Sequence, residues 1–175
     1  MPIEAEGLPD VRSSGPEREM LLEYLDYFRT VLRRKAEGIS DEELHRSIAP
    51  SKLTLGGLLR HMTIVEIGWF RQTLLGEPPP EPWASAPWAD DHDWELTSAP
   101  AVPTERIFAE YDDALARSRE AVDGIPSLDD IAANPRQNGK AVDLRWILIH
   151  MVEEYARHCG HADFIRESID GVTGD

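Results

Sequence analysis

The segment LRWILIHMVEEYARHCGHADFIRESI, residues 144–169, carries the pattern that decides the fold. Asp143 precedes it as a helix N-cap, and apolar side chains then recur at helical spacing. On a helical projection these side chains fall within one arc of about 80°. The arc contains Leu144, Ile147, Met151, Tyr155, Ala162, Ile165 and Ile169. The segment therefore predicts a long helix with one buried face.

Polar side chains with metal-binding chemistry lie on or beside this predicted buried face. His158 falls inside the arc, and Glu154 lies at its edge. His161 and His150 lie just outside it. A buried carboxylate is costly unless it is paired, hydrogen-bonded or bound to a metal, so Glu154 requires a partner. His158 is one turn further along, where both groups can reach one ion or simply form an ion pair.

Three further amphipathic segments and one short helix indicate a helical bundle. The segments 16–37, 55–76 and 103–124 each place apolar residues on one face at helical spacing. Residues 39–49 contain a short helix that begins with a capping box at Ser40. Four long amphipathic helices with long connections predict an all-α fold of the four-helix-bundle type.

The connection 77–102 contains six prolines and no sustained periodicity, so a long loop is predicted. Its tryptophans, Trp83, Trp88 and Trp94, either form a lid or electrophile pocket or anchor the loop to the bundle. Anchoring is the favoured interpretation. The acidic run 90–93 offers ligands for a second metal, but a solvated acidic loop is favoured there.

Length and composition limit the classes of protein to consider. A chain of 175 residues with 41% hydrophobic content fits a single domain, 1–175, in which 1–15 form a flexible N-terminal tail. The formal net charge of -15 argues against a nucleic-acid partner, because nucleic-acid binding neutralises phosphates with Lys and Arg. No apolar run is long enough for a bilayer, and the N-terminus lacks a signal-peptide pattern. A single cysteine, Cys159, fits a reducing compartment, so a soluble cytoplasmic protein is expected.

The second long helix offers a third ligand from outside the C-terminal helix. His61 lies on the same predicted face as Leu58, Val65 and Trp69. Two imidazoles and one carboxylate are typical of a catalytic metal site with open coordination positions. Zinc, nickel and ferrous iron all accept this ligand set. Such a site requires that the two helices be neighbours in the fold.

Residues 55–70, LGGLLRHMTIVEIGWF, together with 144–171 resemble the DinB-like superfamily of bacterial metal-binding bundles. More narrowly, the chain resembles the branch that contains mycothiol-dependent S-transferases. The resemblance implies an up-up-down-down bundle in which His61, Glu154 and His158 hold a divalent metal ion. Many members of the superfamily have a histidine at the position of Glu154.

The resemblance also implies an activity. A small thiol of the mycothiol type would bind the metal as a thiolate and attack an electrophilic small molecule. No nucleophile of the protein is required, and Cys159 is expected to be a packing residue. His161 is expected to contact the site or to face the substrate, and His150 to provide polar packing at the helix end. Zinc is the favoured ion, with nickel or iron as alternatives.

Three other functions fit the same residues. A non-catalytic binding protein would hold a metal or a small molecule with these ligands and show no turnover. A structural or interaction bundle would bind no metal, and His61 and the Glu154–His158 pair would satisfy each other. A ferrous enzyme that uses oxygen also suits two histidines and a carboxylate. Family habit makes a homodimer an expectation without identifying its interface.

Overall fold

The computed structural model describes residues 8–136 and 138–174. Its α-helices are α1 (Glu17–Lys35), α2 (Asp41–Leu44), α3 (Leu55–Glu66), α4 (Trp94–Thr97), α5 (Thr104–Asp123) and α6 (Leu144–Asp170). A 3-10 turn, Ala99–Ala101, follows α4. No β-strand occurs within the described residues, where Ile131 and Asp143 form an isolated antiparallel bridge. The prediction of an all-α helical bundle is confirmed.

The bundle is built from two helix pairs that share one core. α1 packs mainly against α6, and α3 packs mainly against α5. α3 also contacts both α6 and α1, which joins the two pairs. The centre of the core includes Leu25, Leu32, Leu58, Leu59, Met62, Ile107, Tyr111, Ile147, Met151 and Tyr155. The two helices that carry the predicted ligands are therefore neighbours, while the up-up-down-down order stays a prediction.

The second long helix changes its hydrogen-bonding pattern partway. Its α-helical part ends at Glu66, and Ile67–Leu74 continue as a π-helix. The sequence predicts one uninterrupted α-helix here, because apolar spacing does not distinguish the two patterns of hydrogen bonds. The π-helical part keeps Phe70 and Leu74 buried against the core. The segment thus still packs as one continuous helix on α5.

Polar side chains cap the starts of α2, α3 and α6, as the sequence predicts. The Thr54 hydroxyl accepts the Gly57 N–H at 3.0 Å at the start of α3. Ser40 forms the predicted capping box at the start of α2. The Asp143 carboxylate accepts the Trp146 N–H at 2.8 Å at the start of α6. These bonds satisfy backbone N–H groups that have no partner within the helix.

Replacing the cap of α6 is expected to weaken the fold modestly. The Asp143→Ala variant should lose about 1 kcal/mol of unfolding free energy, because a first-turn N–H loses its acceptor. Urea denaturation of the metal-free protein measures this loss. Asp90→Ala is the matched control, since Asp90 is exposed in the long loop, and it should unfold like the parent. Equal losses in both variants would contradict a capping role for Asp143.

The long connection 77–102 is held on α3 by aromatic contacts. Trp83 is buried, and the ring centroids of Trp83 and Trp94 lie 5.8 Å apart. The Arg60 guanidinium lies 4.7 Å from the Trp83 ring centroid and 5.2 Å from that of Trp94. These contacts agree with anchoring of the loop. The loop is less irregular than its sequence predicts, because it contains α4 and the 3-10 turn.

Part of the predicted N-terminal tail contacts the bundle. Residues 1–7 of that tail lie outside the described residues. Leu8 packs against the core, and the Arg12 guanidinium forms an ion pair with Glu23 at 2.6 Å. Of the helices described, none is long and apolar enough to cross a membrane.

Candidate metal centre

The three predicted ligands come together at the contact between α3 and α6. His61, Glu154 and His158 each offer one ligand atom, and these atoms all lie within 4.8 Å of one another. The Nε2 atom of His158 is 3.5 Å from Oε2 of Glu154. The ring centroids of His61 and His158 are 4.8 Å apart. The two helices thus bring two imidazoles and one carboxylate to a single point.

The cluster is half-buried, which determines how far solvent reaches the three side chains. The side chain of His61 is 27% exposed, that of Glu154 16% and that of His158 11%. The sequence places His61 in a buried stripe, but the structure places it at the edge of that stripe. The reason is that the core face of α3 is centred on Leu59 and Met62, both fully buried. The cluster is therefore partly exposed to solvent on its His61 side.

The electrostatics of His158 favour the neutral imidazole. Burial, followed by the positive potential of His61, His161 and Arg157, lowers the pKa of His158 to about 4. A lowered pKa means that the ring carries no charge at neutral pH. Neutral imidazole is the form that binds a metal ion through its lone pair.

Two basic side chains lie near one oxygen of the Glu154 carboxylate. Its Oε1 atom is 3.6 Å from Nε2 of His150 and 3.8 Å from Nη1 of Arg157. The His150 ring also stacks on Trp146 with 4.9 Å between centroids, so its packing is aromatic on that side. Oε2 of Glu154 faces His158 instead, so the two carboxylate oxygens have different environments.

A second group of candidate ligands shares Glu154. His150, Glu153 and Glu154 also offer ligand atoms within 4.8 Å of one another. All three belong to α6, and Glu153 is an exposed residue that forms an ion pair with Arg157. This group supplies one imidazole, whereas the group with His61 supplies two from two helices. The group with His61 therefore fits zinc, nickel or ferrous iron better than the group with Glu153.

His161 lies beside the cluster and lines a cavity. Its Nδ1 atom is 3.3 Å from Nδ1 of His158, so an N–H of one ring donates a hydrogen bond to the other ring. The ring also lines a cavity of about 640 Å³ whose apolar wall includes Ile48, Leu53 and Phe164. His161 therefore contacts a predicted ligand and faces an open space.

Cys159 and the acidic run of the loop occupy other positions. Cys159 is buried, and its Sγ lies 3.5 Å from the Phe28 carbonyl oxygen. Burial, and then Asp163, raise the pKa of this thiol to about 12, so it stays protonated at neutral pH. In the acidic run, the Asp91 carboxylate accepts hydrogen bonds from the Asp93 N–H and the Thr97 hydroxyl. Both observations favour structural roles.

Sequence patterns do not identify Glu95, an acidic residue whose side chain contacts His61. Glu95 is only 6% exposed, and its Oε1 lies 3.0 Å from Nδ1 of His61. It belongs to the four-residue helix α4 inside the long loop. No periodicity identifies such a residue, because its position depends on the path of the loop over α3.

A buried ion pair near the cluster is likewise not predicted by the sequence patterns. The Glu66 carboxylate accepts two hydrogen bonds from the Arg29 guanidinium, at 2.8 and 2.7 Å. It accepts a third from the Tyr155 hydroxyl at 2.7 Å. Glu66 and Tyr155 belong to the two helices that carry the predicted ligands. This network therefore fixes α3 against α6 next to the candidate metal centre.

Comparison with known protein families identifies the family of the chain. The sequence model of the mycothiol-S-transferase family matches residues 20–171. No curated protein matches the chain. The matched span contains α3, α5 and α6, and with them all three residues of the candidate centre. The chain therefore belongs to the mycothiol-S-transferase family, as its resemblance predicts.

Proposed function

We propose that the protein is a divalent-metal-dependent enzyme that transfers a low-molecular-weight thiol of the mycothiol type to an electrophilic small molecule. The observation that carries this proposal is the cluster of His61, Glu154 and His158 in a chain of this family. Zinc is the proposed ion, and nickel or iron would suit the same ligands.

The donor set fits a catalytic metal ion. Three protein ligands leave open positions in a tetrahedral or larger coordination shell. Because His61 is partly exposed, the open coordination positions would be accessible from solvent on that side. Glu154 supplies a negative charge that offsets part of the charge of the ion, and His158 is neutral and available. When bound, such an ion would lower the pKa of a thiol at an open position, so that thiolate prevails near neutral pH.

The protein residues then position and shield the reactants. The thiol gives up its proton to solvent, the sulfur electron pair forms a bond to the electrophilic carbon, and the leaving group departs with its bonding pair. The cavity beside His161 has room for the apolar part of a substrate against Leu53 and Phe164. Cys159 takes no part, because its buried thiol stays protonated.

The proposal is tested by metal content and by product formation in the same preparation. After exposure to zinc, nickel or ferrous iron and removal of excess ion, elemental analysis should find about one ion per chain. Mass spectrometry should then detect a thioether from mycothiol and an alkyl bromide. A chelator that strips the metal should abolish this product.

Other results would support the rival functions. Bound metal without a thiol-dependent product would indicate a non-catalytic binding protein. No retained metal would indicate a structural or interaction bundle. Loss of activity in air-free buffer would indicate a ferrous enzyme that uses oxygen. The homodimer stays a prediction, which light scattering of the purified protein checks.

A further inference from the structure

We propose that Glu95 is a positioning residue for the metal centre, and that the loop 77–102 contributes to metal affinity by carrying it. The inference rests on the proposed metal-dependent function. It assigns to this loop a role in holding His61 in the tautomer and orientation that a metal requires.

The hydrogen bond between Glu95 and His61 determines which ring nitrogen is free. Oε1 of Glu95 lies 3.0 Å from Nδ1 of His61. An ionised carboxylate can only accept, so Nδ1 must carry the hydrogen. The lone pair of the neutral ring is then on Nε2, which is left to bind the ion. Carboxylates that bond to ligating imidazoles in this way fix the ring and raise its basicity.

The remaining oxygen of Glu95 argues against a purely structural role. Among the described residues, Oε2 of Glu95 is buried and has no hydrogen-bond partner. An unpaired buried carboxylate oxygen is costly, so an apolar side chain would serve loop packing better. The negative charge of Glu95 also interacts favourably with the buried Arg60 guanidinium, but the hydrogen bond to His61 is the one that its carboxylate oxygens make.

The backbone around Glu95 is held rigidly. The buried Arg60 guanidinium donates to the Glu95 carbonyl oxygen at 3.2 Å and to the Ser98 hydroxyl at 3.3 Å. α4 also lies close to α3 at Gly57, where an added Cβ would be 3.4 Å from the Leu96 side chain. Glu95 is therefore delivered to His61 by a fixed segment of the loop.

His158 has a different kind of partner. Its Nδ1 contacts His161, which lies one turn further along α6 itself. The hydrogen-bond partner of His158 thus belongs to α6 itself, whereas that of His61 belongs to a loop from a different part of the chain. Changes in the loop should therefore alter metal affinity by changing the orientation of His61.

The decisive variant is Glu95→Met, which removes the acceptor but fills the space with an apolar side chain. Glu95→Gln is the rescue variant, because its amide oxygen can still accept from Nδ1. Glu81→Gln is the matched control in the same loop, since Glu81 is exposed and bonds to Ser85. Ser98→Ala weakens the attachment of the loop to Arg60 without touching His61.

The zinc dissociation constant of each variant is measured by competition with a chromophoric chelator, and stability by urea denaturation. The Glu95→Met variant should bind zinc about 10- to 100-fold more weakly than the parent. Its urea midpoint should change little, because removal of the unpaired buried oxygen offsets the loss of the negative charge near Arg60. Glu95→Gln should show an intermediate loss, and Ser98→Ala a smaller one because the segment that carries Glu95 is held less firmly. Glu81→Gln should bind zinc like the parent.

Nitrogen chemical shifts of the His61 ring in metal-free protein give a second readout. The parent and Glu95→Gln should show the hydrogen on Nδ1, while Glu95→Met should show a mixture of tautomers. If the parent binds one zinc ion and Glu95→Met binds it equally well, the role of Glu95 is overturned while the metal centre stands. If the parent binds no metal, the proposed function itself fails, and the role of Glu95 fails with it.

Discussion

Replacing His158 with alanine is expected to remove the bound metal and thiol transfer together. His158 is the most buried of the three proposed ligands, and it lies close to both Glu154 and His61. Loss of a partner that only orients a ligand already costs about 10- to 100-fold in affinity, so loss of a ligand should cost at least about 100-fold. Elemental analysis after zinc loading should therefore find almost no retained ion.

The matched control for this experiment is another histidine. His92→Ala makes the same change at an exposed position in the loop, and it should retain both metal and activity. Circular dichroism of His158→Ala should keep the helical signal of the parent, since an alanine favours a helix.

Retention of metal by the His158→Ala variant would change the assignment of the ligands. If His158→Ala retains the ion, the group of His150, Glu153 and Glu154 becomes the candidate. The Glu153→Ala variant then distinguishes the two groups, because Glu153 belongs to the second group and not to the group with His61. Loss of metal in Glu153→Ala and retention in His158→Ala would contradict the proposed centre.

Replacing Glu66 with alanine is expected to destabilise the fold strongly. The change leaves the buried Arg29 guanidinium without its main partner and removes the acceptor of the Tyr155 hydroxyl. Removing one partner of a buried ion pair costs about 3–5 kcal/mol. For a chain of this length the Tm should fall by roughly 10 °C. Urea denaturation and calorimetry of metal-free protein measure the two quantities.

Two controls separate this buried pair from ordinary ion pairs. Asp112→Ala removes the partially exposed partner of Arg33 and should cost about 1 kcal/mol or less. The double variant Glu66→Met with Arg29→Met removes both charges and should recover most of the stability, because apolar side chains can replace a buried pair. Equal losses for Glu66→Ala and Asp112→Ala would contradict the expected penalty for an unpaired buried charge.

The same network links stability to the metal centre. Tyr155 directly follows Glu154 in α6, and Glu66 lies in α3 a little beyond His61. Since the network connects these helices, Glu66→Ala should also weaken zinc binding. The double variant tests whether packing alone restores the geometry that the three ligands require.

The periodicity of apolar residues determined the existence and approximate bounds of the long helices. The segment 144–169 became α6, which ends at Asp170 before Gly171 with a positive φ of 76°. The predicted N-caps Thr54 and Asp143 also hold in the structure. These features follow from interactions between residues that are close along the chain, so local patterns are sufficient to predict them.

The partners of the candidate ligands were decided by the tertiary structure. Glu95 meets His61 across 34 positions of the chain, and Glu66 meets Arg29 across 37. Neither pairing has a fixed spacing that a sequence pattern could reveal. The sequence by itself determined four amphipathic helices with ligand chemistry on two of them. Only the packing of α3 on α6, and the path of the loop over α3, decided which charged groups meet, because those contacts depend on long-range burial and not on helical periodicity.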